Sequence, residues 1–219
     1  MKYYLKNLIT CYTTTIEEFR DVEVKTKRMI NKIEIDNESL DSIHEDVFIH
    51  CINLEYFDCS KNNLEYIPET IFTNCPQLSY FKCSNNKLTY LPDELYNLEN
   101  LEMLICSRNK IENMNKIYKL TKLKHLDCSF NNLTDIPITR QMTQLYILCC
   151  HHNPIKQMPY DIVFMKNLQN YRHTYTYTHI QELPYVANSI IEKEFYRVHL
   201  KYYLYTYILK WNTRQVLYY

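Results

Sequence analysis

Residues 54–68 read LEYFDCSKNNLEYIP, and close copies follow at 78–92 (LSYFKCSNNKLTYLP), 101–115 (LEMLICSRNKIENMN), 123–137 (LKHLDCSFNNLTDIP) and 145–159 (LYILCCHHNPIKQMP). A weaker copy begins at Ile30, INKIEIDNESLDSIH, and another at Leu168, LQNYRHTYTYTHIQELP, which matches once two residues are inserted before Ile180. Starts at 30, 54, 78, 101, 123, 145 and 168 are separated by 24, 24, 23, 22, 22 and 23 residues. A fixed period of this size marks a stacked array, in which one unit cannot bury its apolar face without its neighbours.

Each fixed place has a physical role. The fourth and sixth residues of a copy point inward on a short strand, while the third, fifth and seventh point the other way. Leu54, Phe57, Cys59, Leu64 and Ile67 are therefore expected in the core, as are Leu123, Leu126, Cys128, Leu133 and Ile136. Asparagine recurs at the ninth place, as Asn62, Asn86, Asn109, Asn131 and Asn153, where its amide can satisfy turn backbone groups. Pro68, Pro92, Pro137, Pro159 and Pro184 suit extended backbone outside any ladder.

The pattern resembles the leucine-rich repeat, L-x-x-L-x-L-x-x-N-x-L-x-x-L-P, with cysteine in the third apolar place, over about residues 30 to 188. The resemblance implies an α/β repeat solenoid, a horseshoe with a parallel concave sheet and terminal caps. It assigns 1–29 to an N-terminal cap, 30–188 to about seven coils and 189–219 to a C-terminal cap. In composition the repeats look similar to those encoded by amoeba-infecting giant DNA viruses. That likeness implies a viral protein meeting a host protein in the host cytoplasm.

Composition narrows the function classes. Lys plus Arg and Asp plus Glu are both 25 and the pI is near 7.1, which supports no broad electrostatic footprint on nucleic acid or anionic membrane. The expected partner is accordingly a protein, with no nucleic acid, membrane or cofactor. Glycine is absent, alanine occurs once, at Ala187, and tyrosine reaches 22, the usage of an AT-rich genome. LITCY (8–12) is too short for a signal-peptide core of about 7–15 residues, and the tail HLKYYLYTYILKW is too short for a membrane helix of about 20. Nine cysteines, an odd number, argue for a reducing cytoplasm against the counter-signal of sequons at Asn37 and Asn132.

The run CCHH (149–152) invites a metal or thiol-enzyme reading. In register, Cys150 falls on the inward cysteine place and Cys149 and His151 on the opposite face, so the four side chains diverge and cannot close around one zinc ion. Asp127 on the adjacent strand would complete a thiol, base and carboxylate with Cys149 and His151. Those two, however, lie about 7 Å apart along the strand, beyond hydrogen-bond reach. The expectation is no metal and no enzyme; the alternatives are a cysteine-dependent enzyme or a structural particle component.

At the ends, Val22 and Val24 alternate as in a strand, and Thr14 or Thr15 opens a helix start. Ser189 and Glu192 form a capping box ahead of a helical stripe of Ile191, Phe195, Val198, Tyr202, Tyr205 and Leu209. The outward places of the middle coils carry large apolar residues where an ordinary exposed face would be polar. Tyr56, Tyr80, Met103, Ile105, Arg108, Phe130, Ile147, His152 and Tyr175 are the expected partner-binding residues, since interfaces favour aromatics, Met and Arg.

Overall fold

The chain divides into two compact units, Met1–Gln181 and Glu182–Tyr219. The computed structural model describes residues 2–5, 8–12, 21–155, 159, 161–162, 165, 167–168 and 170–172, all within the first. The helix start at Thr14 or Thr15, Tyr175 and the C-terminal stripe lie outside them.

Seven three- to five-residue strands stack in parallel: β3 (Ile30–Glu34), β4 (Tyr56–Asp58), β5 (Tyr80–Lys82), β6 (Met103–Ile105), β7 (His125–Asp127), β8 (Ile147–Cys149) and β9 (Asn170–Arg172). Their register places Lys32, Tyr56, Tyr80, Met103, His125, Ile147 and Asn170 in one row, the third place of every copy. β4 to β8 share one burial pattern, the central residue buried between two half-buried ones. Alternation thus works as the sequence predicts: Phe57, Phe81, Leu104, Leu126 and Leu148 are fully buried, followed by Cys59, Cys83, Cys106 and Cys128.

The convex side accounts for the shrinking period. The coil starting at Leu54 carries a short helix, α2 (Thr70–Asn74); the next has a five-residue 3-10 turn, Asp93–Asn97, and the next a three-residue one, Ile117–Lys119. As this side shortens, the fourth place changes from phenylalanine to leucine. Phe57 stacks on Phe81 with ring centroids 5.6 Å apart, and Phe72 of α2 meets Phe81 edge-on at 5.2 Å. In these two coils the longer convex side is accompanied by aromatic rings that fill the interior, as close packing requires.

At the N-terminal end one expectation, a strand through Val22 and Val24, is not met. β1 (Lys2–Leu5) and β2 (Leu8–Tyr12) form an antiparallel hairpin, and β1 pairs antiparallel with β3, matching Tyr3 with Ile33. The hairpin thus extends the sheet to nine strands. Val22 and Val24 form no strand. Val24–Lys27 is instead a single helical turn, α1, with Lys27 N–H donating to Glu23 C=O at 2.9 Å. The physical reason is that the edge of β3 is already taken by β1, and Val24 stays 45% exposed instead of alternating inward.

Candidate functional site

The turn after each strand positions the concave surface. Its eighth residue is left-handed in six coils: Asn37, Lys61, Asn85, Arg108, Phe130 and His152 have φ between 55° and 59°. Glycine would occupy such a position without strain, and this chain has none. The eighth-place N–H donates to the seventh-place carbonyl of the next coil, from Lys61 to Ser84 at 2.8 Å, from Arg108 to Ser129 at 2.9 Å and from Phe130 to His151 at 2.9 Å. Eighth-place side chains therefore stand one above another along the rim of the sheet.

The ninth-place asparagines hold these turns from inside. Asn109 Nδ2 donates to the carbonyls of Cys83 and Cys106, both at 3.0 Å, and its Oδ1 accepts from Leu88 N–H at 3.1 Å. Asn86, Asn131 and Asn153 repeat this pattern one coil at a time. Asn62 varies it, accepting from both Glu38 and Leu40.

On the concave face two environments meet. Around β3 to β5 the surface is polar and internally tied. Lys32 and Lys82 ammonium groups lie 4.7 Å and 5.1 Å from the Tyr56 ring centroid, and the Tyr56 hydroxyl donates to Asp58 at 3.3 Å. Burial pulls the Lys82 pKa down, but the Tyr56 hydroxyl, Asp58 and Glu34 outweigh it and hold the group above its ordinary value. Tyr80 donates to Glu102 at 3.4 Å, and Glu102 pairs with Lys124 at 2.8 Å. Tyr56 and Tyr80 thus belong to a hydrogen-bonded network as well as to the apolar band.

From β6 onward Met103, Ile105, Ile147 and Phe130 dominate, with His125 in register between Met103 and Ile147, and Asp127 between Ile105 and Cys149. Burial holds the His125 imidazole below its ordinary value, with Asp127 opposing and Lys82 assisting. On the rim, the Arg108 guanidinium lies 4.3 Å from the Phe130 ring centroid, and Phe130 stacks on His152 at 4.2 Å and 19°. Sequence register placed these three on one row. The left-handed turn that stacks them has no glycine to announce it, only Asn37 and Asn85, which tolerate that conformation.

The CCHH run alternates as its register requires. Cys150 is buried and its thiol pKa is pushed up to about 12 by burial, whereas Cys149 is half-exposed on the concave side. The His151 ring meets Phe130 edge-on at 5.2 Å. Asp127 Oδ1 already accepts from the Ser129 N–H at 3.0 Å and hydroxyl at 2.6 Å.

A family model described as BspA type leucine rich repeat region matches residues 25–145 in six copies. The chain belongs to this leucine-rich repeat family. Such repeats are commonly protein-interaction scaffolds and typically not enzymes. No curated protein matches the chain. Among solved structures, a leucine-rich repeat protein of Leptospira interrogans aligns with TM-score 0.61 and 22% identity, over 67% of this chain and 38% of that one. The ectodomain of the Arabidopsis receptor kinase HAESA, solved with a peptide hormone, aligns with TM-score 0.55 and 26% identity, over 60% and 24%. A TLR13–ssRNA13 complex aligns with TM-score 0.59 and 22% identity, over 68% and 22%. The matched region spans less than two fifths of each of these proteins. Among the described residues, no helix is long and apolar enough to cross a membrane.

Proposed function

We propose that the chain is a protein-interaction scaffold that receives a partner protein on the concave face of its solenoid. The observation that carries this reading is the half-exposed set Met103, Ile105 and Ile147 on the strands and Phe130 on the turn after β7, held outward over a buried core. Large apolar side chains on a rigid support lose little freedom on binding, and apolar area framed by polar groups is what an interface centre needs. The HAESA structure, with its peptide hormone, shows a related solenoid serving recognition. The thiol-enzyme reading at Cys149 and His151 has less behind it, because Asp127 is turned to Ser129 and His151 to Phe130.

Pull-down from a cell lysate with mass spectrometry supplies the partner, and point variants test the surface. Ile105→Glu and Phe130→Glu are expected to weaken capture at least tenfold with circular dichroism unchanged, because binding cost concentrates in a few central anchors. Cys149→Ser is expected to have no effect. Capture insensitive to Ile105 and Phe130 but lost with Cys149 would replace the scaffold reading with the enzyme one.

A further inference from the structure

None of the turns of the five central coils carries a carboxylate, and three of them carry Lys or Arg. Their seventh to tenth residues read SKNN (60–63), SNNK (84–87), SRNK (107–110), SFNN (129–132) and HHNP (151–154), within a chain whose Lys plus Arg and Asp plus Glu are both 25. Lys61, Lys87, Arg108 and Lys110 are all exposed. Elsewhere Lys32, Lys116, Lys124 and Arg140 are paired with carboxylates; among the described residues these four rim cations enter no ion pair. Of the acids nearest in sequence, Asp58 accepts from the Tyr56 hydroxyl and the Ser60 N–H, and Glu65 and Glu112 follow the buried Leu64 and Ile111; none of the three pairs with these cations. A neutral protein has thus gathered unpaired positive charge along one edge of its concave sheet.

Arg108 is the most constrained of these cations. Its guanidinium lies on Phe130, so one face is occupied by the ring, and its N–H edges are left for a ligand. A planar fork fixed in this way matches a carboxylate, which it can grip with two parallel hydrogen bonds. The opposite face of Phe130 is covered by His152 at 4.2 Å. Phe130 is therefore already occupied as a platform for a nucleobase, and stacking is what single-stranded nucleic acids seek on a protein surface.

We infer that an acidic, extended peptide segment of the partner protein lies along this rim, with one carboxylate on the edge of Arg108 and flanking acids toward Lys61, Lys87 and Lys110. The inference rests on the scaffold reading and adds the chemistry of what is bound. The concave centre supplies apolar contact, and the rim selects charge and sets the direction of the segment.

Fluorescence anisotropy of the full chain with fluorescein-labelled octaglutamate tests it, with octauridine as the competing polyanion. Octaglutamate is expected to bind at low ionic strength and to weaken at 150 mM salt, an ionic strength at which the screening length is about 8 Å. Arg108→Ala should weaken it about tenfold. Arg108→Lys, which keeps the charge and loses the fork, should weaken it several-fold, and Lys61→Ala with Lys87→Ala about as much, all with unchanged melting temperature. No octaglutamate binding, affinity indifferent to Arg108, or tighter binding of octauridine each overturn the inference. Partner capture separates it from the scaffold reading. If Ile105→Glu abolishes capture while Arg108→Ala leaves capture and octaglutamate binding intact, the rim inference fails and the scaffold stands.

Discussion

The eighth and ninth residues of the central coils are adjacent in sequence and play opposite roles. The ninth is asparagine in all five central coils, turned inward, each with backbone partners in two coils. The eighth is Lys61, Asn85, Arg108, Phe130 or His152, turned outward and left-handed throughout. A left-handed backbone costs a residue with a Cβ roughly 1–2 kcal/mol, and here the inter-coil ladder forces the conformation whatever the side chain. One turn therefore has a place where chemistry is fixed by the fold and a place where it is left open. Arg108, Phe130 and His152 stand where the fold asks for a backbone shape and nothing more, which is where a surface can vary to suit a partner.

The buried side of this contrast can be broken most severely by alkali. Burial raises the Cys83, Cys106 and Cys128 thiols well above the ordinary 9.0 and Cys51 and Cys150 to about 12. In the unfolded chain the thiols ionise near 9.0, so above that pH the unfolded state binds fewer protons and stability falls as pH rises toward the folded values. Each buried thiol adds about 1.4 kcal/mol per pH unit to the decline. Denaturant unfolding from pH 8 to 11 measures it, and a flat profile would mean that water reaches the sulfurs.

Replacing one ladder asparagine should have a smaller effect. Asn109→Leu leaves the Leu88 N–H and the Cys83 and Cys106 carbonyls without their side-chain partner and is expected to cost about 1–3 kcal/mol. A urea melt matching the parent would remove the ninth place from the list of fold-determining positions.

The eighth place should respond in the opposite direction. Lys61→Gly relieves roughly 1–2 kcal/mol of left-handed strain and adds roughly 0.5–1 kcal/mol of unfolded-chain entropy, so the variant is expected to be equal or slightly more stable. Asn62→Gly, one residue on, should be clearly less stable. Equal losses at both positions would erase the distinction between them.

The register of the array was legible in the sequence because it depends only on places within one copy. Phe57, Cys59 and Asn62 sit where LEYFDCSKNN puts them, and Cys150 followed from the same count. Features that depend on the neighbouring coil were not. Tyr56 reads as an exposed aromatic until Lys32, 24 residues earlier, and Lys82, 26 later, are stacked beside it. The left-handed eighth place is hidden because its usual marker, glycine, is missing from the whole chain. The hairpin β1–β2 was obscured differently. LITCY reads in sequence only as a candidate leader segment, and its place in the sheet depends on β1, which lies between it and β3.

The cysteine column has a use in watching the molecule come apart. Cys59, Cys83, Cys106, Cys128 and Cys150 place an enclosed thiol at the same position of five successive coils, and Cys51 and Cys75 add enclosed thiols in the first two coils of the stack. Because each coil touches only its neighbours, an array can open from an end and propagate inward. Mass spectrometry of a chain pulsed with alkylating reagent under mild denaturant would then show modified sulfurs as a contiguous block, and the end from which the block grows names the weaker terminus. The residues that fill the interior thus also number its layers, a ruler for cooperativity already written into the chain.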